Sequence, residues 1–363
     1  MIVVTQKAGR RIHRAALVLG CALAAACLQL RARAQELLTP APATVVHGLY
    51  NWVHSTGDAE RAFAFYRDVF AIELAPSPFI PNATVPEGIR PLADVVGDPL
   101  IWDLTDTKGS RARTVFMRAS NTPFGIELSE FVDIPRSVRA ANPWDPGASR
   151  LMFRVRDLDV IVAKLAERSA PIVTLGAAPV GTRAGRAMLV RDPDGYLVEV
   201  SQATAAEIAS AAASGPIIGT SIGLTVESTQ RSLELYRGLL GFAVRETRAA
   251  DAAELALNGL ATGSLERTVT VIPGTSIAVV LADFTLPAAV PAQPFRWRIQ
   301  DVGSPQFQLE VRGLDALIER TRSAGYRFLS VGARPIRRPF GRFVFAIDAD
   351  HILVEYAEPS IAR

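Results

Sequence analysis

Cysteine and histidine are scarce: the 363 residues hold two Cys and four His. Two Cys cannot build a disulfide-rich scaffold or a zinc cluster of paired cysteines, and both, Cys21 and Cys27, fall within the first 34 residues. With so few histidines, no Cys–His or Ser–His pair stands out for nucleophilic catalysis. The glycines from Gly181 to Gly185 lack the lysine and the spacing of a phosphate-cradling loop. Arginines between Arg334 and Arg342 are interrupted by Pro335 and Pro339, which marks a solvated loop and not a nucleic-acid surface.

Acidic residues are missing from residues 1–34, where Lys7, Arg10, Arg11, Arg14, Arg31 and Arg33 flank an apolar run from Ala15 to Leu30. A basic start, a short apolar core and the small-x-small ending Ala32-Arg33-Ala34 describe an export signal. The run is short of the roughly 20 apolar residues of a membrane span. The alternatives are an uncleaved N-terminal anchor, lipid attachment at Cys27, whose preceding leucine lies one place too far upstream, and a twin-arginine signal at Arg10-Arg11, where His13 replaces a hydrophobic residue. Removing those six charges turns the chain's +3 into −3. The expectation is therefore an exported, periplasmic or secreted protein with no nucleic-acid partner and no membrane partner after signal removal.

What is present is a hydrophobic content of 49%, enough for two folded domains, and an internal repeat. Asn51-Trp52-Val53-His54-Ser55-Thr56-Gly57-Asp58 leads into a helix with Phe63, Tyr66 and Phe70. Ser221 to Ser228 leads into one with Leu233, Tyr236 and Leu240. Both read as strand, polar turn and amphipathic helix. Two strands follow in each half, around Arg113–Phe116 and Phe124–Leu128, and around Arg267–Thr270 and Ile277–Leu281. Each half then opens a further unit at Leu151–Val155 or Phe307–Val311, with helices at Leu158–Arg168 and Leu314–Ala324, and closes on a hairpin. Asp192-Pro193-Asp194-Gly195 is the tight turn of the first hairpin. The sequence thus divides into an export segment 1–34, a domain 45–203, an Ala/Ser-rich linker 204–216 and a domain 217–358. Between Pro76 and Pro99 lies an excursion long enough to be either a lid or a solvated insertion.

Phe65-Tyr66-Arg67-Asp68-Val69-Phe70, its counterpart Leu235-Tyr236-Arg237-Gly238-Leu239-Leu240-Gly241-Phe242, and the closing Asp192-Pro193-Asp194-Gly195-Tyr196-Leu197-Val198-Glu199-Val200 resemble the vicinal oxygen chelate superfamily. That group includes the glyoxalase, bleomycin-resistance and extradiol-dioxygenase families. The resemblance implies an α+β fold of tandem domains, each of two βαβββ units forming a cupped mixed sheet with helices on its outer face. It also implies a cavity in each cup, with functional side chains at Asn51, Glu127, Arg150 and Glu199 in the first domain and at Ser221, Val280, Gln306 and Glu355 in the second.

Several of these residue types depart from a metal centre. Arg150 cannot lose its proton, and Val280 offers no donor atom. His54 lies at odd spacing from Asn51 and so points to the opposite face of the strand, towards the helix. His47 precedes the strand's metal position, and His351 occupies a turn. The expectation is a small organic ligand in the first domain's cavity without a cofactor or catalytic metal. Glu127 and Glu199 are its candidate catalytic groups, and Asn51, Arg150, Gln306 and Glu355 its candidate binding groups. A divalent-metal-dependent lyase, isomerase or dioxygenase and a structural or partner-binding module, including a homodimer, are the alternatives.

Overall fold

In a computed structural model the described residues are 45–80 and 82–360. Residues 1–34, expected to be an export signal, and Cys27 within them lie outside the described residues. Among the described residues no helix is long and apolar enough to cross a membrane.

The chain is built of four units. The first comprises β1 (Val46–Ser55), α1 (Ala59–Phe70), β2 (Glu73–Leu74), α2 (Pro99–Thr105), β3 (Arg111–Arg118) and β4 (Gly125–Val132). The second has β5 (Ser149–Val155), α3 (Leu158–Glu167), β6 (Val180–Thr182), β7 (Gly185–Arg191) and β8 (Leu197–Gln202). A short helix, α4 (Ala205–Ser210), leads to the third: β9 (Ile217–Val226), α5 (Thr229–Leu233) continuing as a wider turn to Leu239, β10 (Ala243–Ala249), α6 (Ala252–Leu257), β11 (Ser264–Val271) and β12 (Ala278–Thr285). The fourth holds β13 (Pro305–Val311), α7 (Leu314–Ser323), β14 (Arg327–Phe328), β15 (Ile336–Arg338), β16 (Gly341–Ile347) and β17 (Leu353–Pro359).

Local chemistry sets these elements. In α1, Asp58 caps the N-terminus by accepting from the Arg61 amide, and Ala71 ends the helix in the left-handed region. Its buried residues, Ala62, Phe65, Tyr66, Val69 and Phe70, recur three to four apart and so share one face. Each large side chain buried there contributes roughly 1.5–3 kcal/mol.

The closing turns repeat one device. Asp192 Oδ1 accepts from the amides of Asp194 and Tyr196, both at 2.9 Å, and Oδ2 accepts from Tyr66 Oη at 3.0 Å. Asp348 does the same with the amides of Asp350 and Ile352 and with Tyr236 Oη at 2.7 Å. The helix of each half is thereby tied to its closing hairpin. His351 holds a φ of 64° where the first half has Gly195 at 83°.

The two sheets do not follow the two sequence halves. One runs β14-β16-β17-β13-β1-β4-β3-β2, joining the first and fourth units; the other runs β10-β11-β12-β9-β5-β8-β7-β6, joining the second and third. The expectation that 45–203 and 217–358 each close their own cup is corrected accordingly. The reason lies in the connections. Since β8 runs parallel to β5, the chain leaves it at the end where β5 also finishes, and the short linker brings β9 back antiparallel along the open edge of β5. That leaves β1 free to pair antiparallel with β13.

One continuous apolar core joins both sheets, with Trp52, Phe70, Phe153, Tyr236, Phe242, Phe307 and Tyr356 fully buried within it. His54 sits on this side, stacked on Tyr196 with ring centroids 4.2 Å apart and Nε2 3.3 Å from Asp192 Oδ2. A separate cluster, including Phe131, Ile299, Phe343 and Phe345, lines the other face of the first sheet.

Candidate functional site

Register decides which side chains share a cup, because paired residues on neighbouring strands point to the same face. In the first sheet Asn51 pairs with Gln308, Val53 with both Gln306 and Glu127, and Gln308 with Glu355. In the second, Ser221 pairs with Met152, Gly223 with both Arg150 and Val280, and Met152 with Glu199. The two sets correspond place by place: Gln306 to Arg150, Gln308 to Met152, Glu355 to Glu199 and Glu127 to Val280.

The expected quartet of Asn51, Glu127, Arg150 and Glu199 is therefore divided. Asn51 and Glu127 belong with Gln306 and Glu355 in the first cup, whereas Arg150 and Glu199 belong with Ser221 and Val280 in the second.

The first cup holds a cavity of about 580 Å³, within the range of small-molecule sites. Its floor is a buried polar network. Asn51 Nδ2 donates to Gln308 Oε1 at 2.7 Å and to Glu127 Oε2 at 3.2 Å, and Ser129 Oγ donates to Glu127 Oε1 at 3.0 Å. Gln306 Nε2 donates to Ser55 Oγ at 3.2 Å. Gly125 makes room for this network: a Cβ there would lie 2.0 Å from Asn51 Oδ1.

Glu355 also lines the cavity, yet its Oε2 is buried without a hydrogen-bond partner among the described residues. Burial pushes the Glu127 carboxyl up to about 7 against the hydrogen bonds from Ser129, Gln308 and Asn51. Burial, then the charge of Glu127, pushes Glu355 well above the usual carboxylate range, with Gln308 opposing.

The walls are apolar, with Phe79, Phe116, Phe131, Phe340, Phe343 and Phe345 facing the cavity. The excursion between Pro76 and Pro99 supplies Phe79, Ile80, Arg90 and Asp98 and so forms part of the enclosure. Across the opening Arg338, at the end of β15, donates to Asp98, the N-cap of α2.

The second cup is closed. Its cavity is about 20 Å³, enough for about one water molecule. Arg150 Nη1 donates to Glu199 Oε2 at 3.2 Å, both groups being buried. The side chain lies across Gly223, where a Cβ would stand 2.7 Å from Arg150 Cγ. Beside it Glu254 takes hydrogen bonds from Arg248 and Arg267. Burial works against its charge, but these partners hold its carboxyl at about 2.

Sequence reasoning missed Gln308 and the phenylalanine wall. Gln308 was accessible in principle, since it stands two residues after Gln306 and so on the same strand face. The wall was not, because its residues come from the excursion, from β3 and β4, and from β16 with the loop before it.

Residues 52–200 match the family model described as the Glyoxalase/Bleomycin resistance protein/Dioxygenase superfamily. No curated protein sequence matches the chain. Among solved structures, glyoxalase I from Zea mays aligns with a TM-score of 0.54 at 15% identity, covering 85% of this chain and 92% of that one. A putative dioxygenase from Bacillus subtilis subsp. subtilis str. 168 aligns with a TM-score of 0.52 at 13% identity, covering 88% of this chain and 87% of that one. At such identities the structural likeness shows the fold alone. Over residues 52–200 the chain is thus similar to the glyoxalase, bleomycin resistance and dioxygenase superfamily, the vicinal oxygen chelate group, and its cupped sheets share the fold of these solved structures.

Proposed function

We propose that the protein binds a small organic molecule in the first cup, with Glu127 and Glu355 handling protons at its head. The observation that carries this reading is Glu355 Oε2, a buried carboxylate oxygen with no partner at the floor of a cavity of about 580 Å³. An unpartnered buried polar atom costs about 1–3 kcal/mol, which a ligand can recover. A carboxyl group held up to about 7, as that of Glu127 is, is also suited to give and take protons.

The superfamily brings a divalent metal into consideration. Among the described residues no three His, Cys, Asp or Glu side chains group together to hold one. The floor nevertheless offers hard oxygens from Glu127, Glu355 and the side-chain amides of Gln306 and Gln308, a set that suits Mg²⁺, Mn²⁺ or Ca²⁺. As oriented here, Gln308 Oε1 is engaged by Asn51, so its use as a ligand requires the amide to turn over. Such a cation would supply Lewis-acid polarisation of a bound carbonyl. The same unpartnered oxygen favours this second reading, and Glu127 and Glu355 would hold the ion.

The test is a thermal-shift screen of small organic compounds and of these three cations on the purified protein. Ligand-induced stabilisation is expected, and Glu355→Gln and Phe343→Ala should each reduce it at least tenfold in apparent affinity. Stabilisation that ignores both substitutions would place the ligand elsewhere. Stabilisation by a cation alone, abolished in Glu355→Gln, would select the second reading.

We also propose export through residues 1–34, supported by their basic, apolar and small-residue order. Mass spectrometry of the expressed protein should find an N-terminus near Gln35. An intact Met1 in protein recovered from the cytoplasmic fraction alone would overturn this.

A further inference from the structure

The correspondence between the cups bears on what the open one receives. In the second cup Glu199 is met by the guanidinium of Arg150, which crosses Gly223 to reach it. In the first cup the counterpart carboxylate is Glu355, and the place of Arg150 is taken by Gln306, whose amide turns to Ser55 instead. Val53 stands where Gly223 leaves a passage. Among the described residues, one closing-strand carboxylate thus has a nitrogen cation and the other has none.

We propose that the first cup takes that group from its ligand: an organic nitrogen cation, an alkylammonium or guanidinium, carried on an apolar, aryl-sized body. This rests on the reading of the first cup as the ligand site. Charge across the cavity agrees. At the opening Arg338 is already neutralised by Asp98, and Arg90 is solvent-exposed and donates to the carbonyl of Asp94. At the floor Glu127 and Glu355 face the cavity with no cationic side chain among the described residues paired to either. A nitrogen cation gives N–H donors to the unpartnered Glu355 Oε2, as Arg150 does to Glu199. The phenylalanine wall suits the ligand body and also attracts the cation through its ring faces. An anion meets two carboxyl groups there and gains nothing comparable.

The experiment titrates the full chain by calorimetry with phenylalkylamines of two to four methylenes, against the alcohols and carboxylates of the same lengths. At least one amine should bind tenfold or more tightly than its alcohol, and its carboxylate should bind more weakly still. Glu355→Gln, close in size and shape, should erase the preference for the amine, bringing the amine and its alcohol within threefold of each other. Amines no tighter than their alcohols, a carboxylate that binds best, or a preference that survives Glu355→Gln would each overturn the cation. If other compounds still stabilise the protein through the first cup, the ligand site stands without it. If nothing binds there, both proposals fall.

Discussion

Replacing Arg150 by Met should lower the unfolding free energy by about 3–5 kcal/mol, because it leaves a buried carboxylate without its counter-charge. Glu199 faces a space of about 20 Å³, too small to hydrate it. Burial already lowers the Arg150 pKa, with the charge of Glu199 resisting, so both ions have lost much of their water and depend on each other. The double variant Arg150→Met with Glu199→Gln should recover most of the loss, since no charge then remains to be compensated. Urea denaturation of the wild type, the single and the double variant measures this cycle. A single variant within 1 kcal/mol of wild type would mean that Glu199 finds solvent, contradicting a closed second cup.

Stability should fall as pH rises from about 5 to 8. Glu127 and Asp348 are both buried and held up to about 7, and burial pushes Glu355 well above its ordinary range. For each, the folded pKa exceeds the unfolded value, so between the two the native state binds more protons than the unfolded chain and a rise in pH favours unfolding. Glu127 alone, moved from 4.5 to about 7, accounts for on the order of 3 kcal/mol by the top of that interval. The lowered carboxyl of Glu254, at about 2, acts in the opposite sense and only under acid conditions, where its stabilisation is lost as pH falls towards that value.

Glu127→Gln should therefore change little at pH 5 and raise stability by about 2–3 kcal/mol at pH 8, flattening that part of the profile. Urea midpoints at unit steps of pH decide it. A wild-type profile that is flat or rising across the interval would sink the assignment of Glu127 as a group protonated near neutrality. If a chelator then restored the fall, a cation between the carboxylates would be the cause.

The contrast between the cups also shows how far the chain could be read without coordinates. The α1 face was legible because Tyr66 and Phe70 keep a helical spacing, and the tie from Tyr66 to Asp192 gives a physical reason for the Asp192–Gly195 turn. His54 was legible as a residue of the packed face from its odd spacing to Asn51. The closing carboxylates Glu199 and Glu355 were legible as equivalents because the hairpin motif repeats. Placing Arg150 beside Glu199 was right, since both come from the second unit; placing either beside Asn51 was not.

By itself the sequence determined the four units, the helical and strand faces, and which side chains point into a cup. Those properties are local: alternation along a strand and a spacing of three to four along a helix decide them before any two units meet. Only the tertiary structure decided that the first unit joins the fourth and the second joins the third. The first strand of every unit offers the same kind of open edge, and backbone hydrogen bonds do not distinguish one such edge from another. Connection length and the packing of the shared core made the choice. That choice set Glu355 beside Glu127 at the cavity of the first cup, whereas Glu199 keeps the arginine of its own unit.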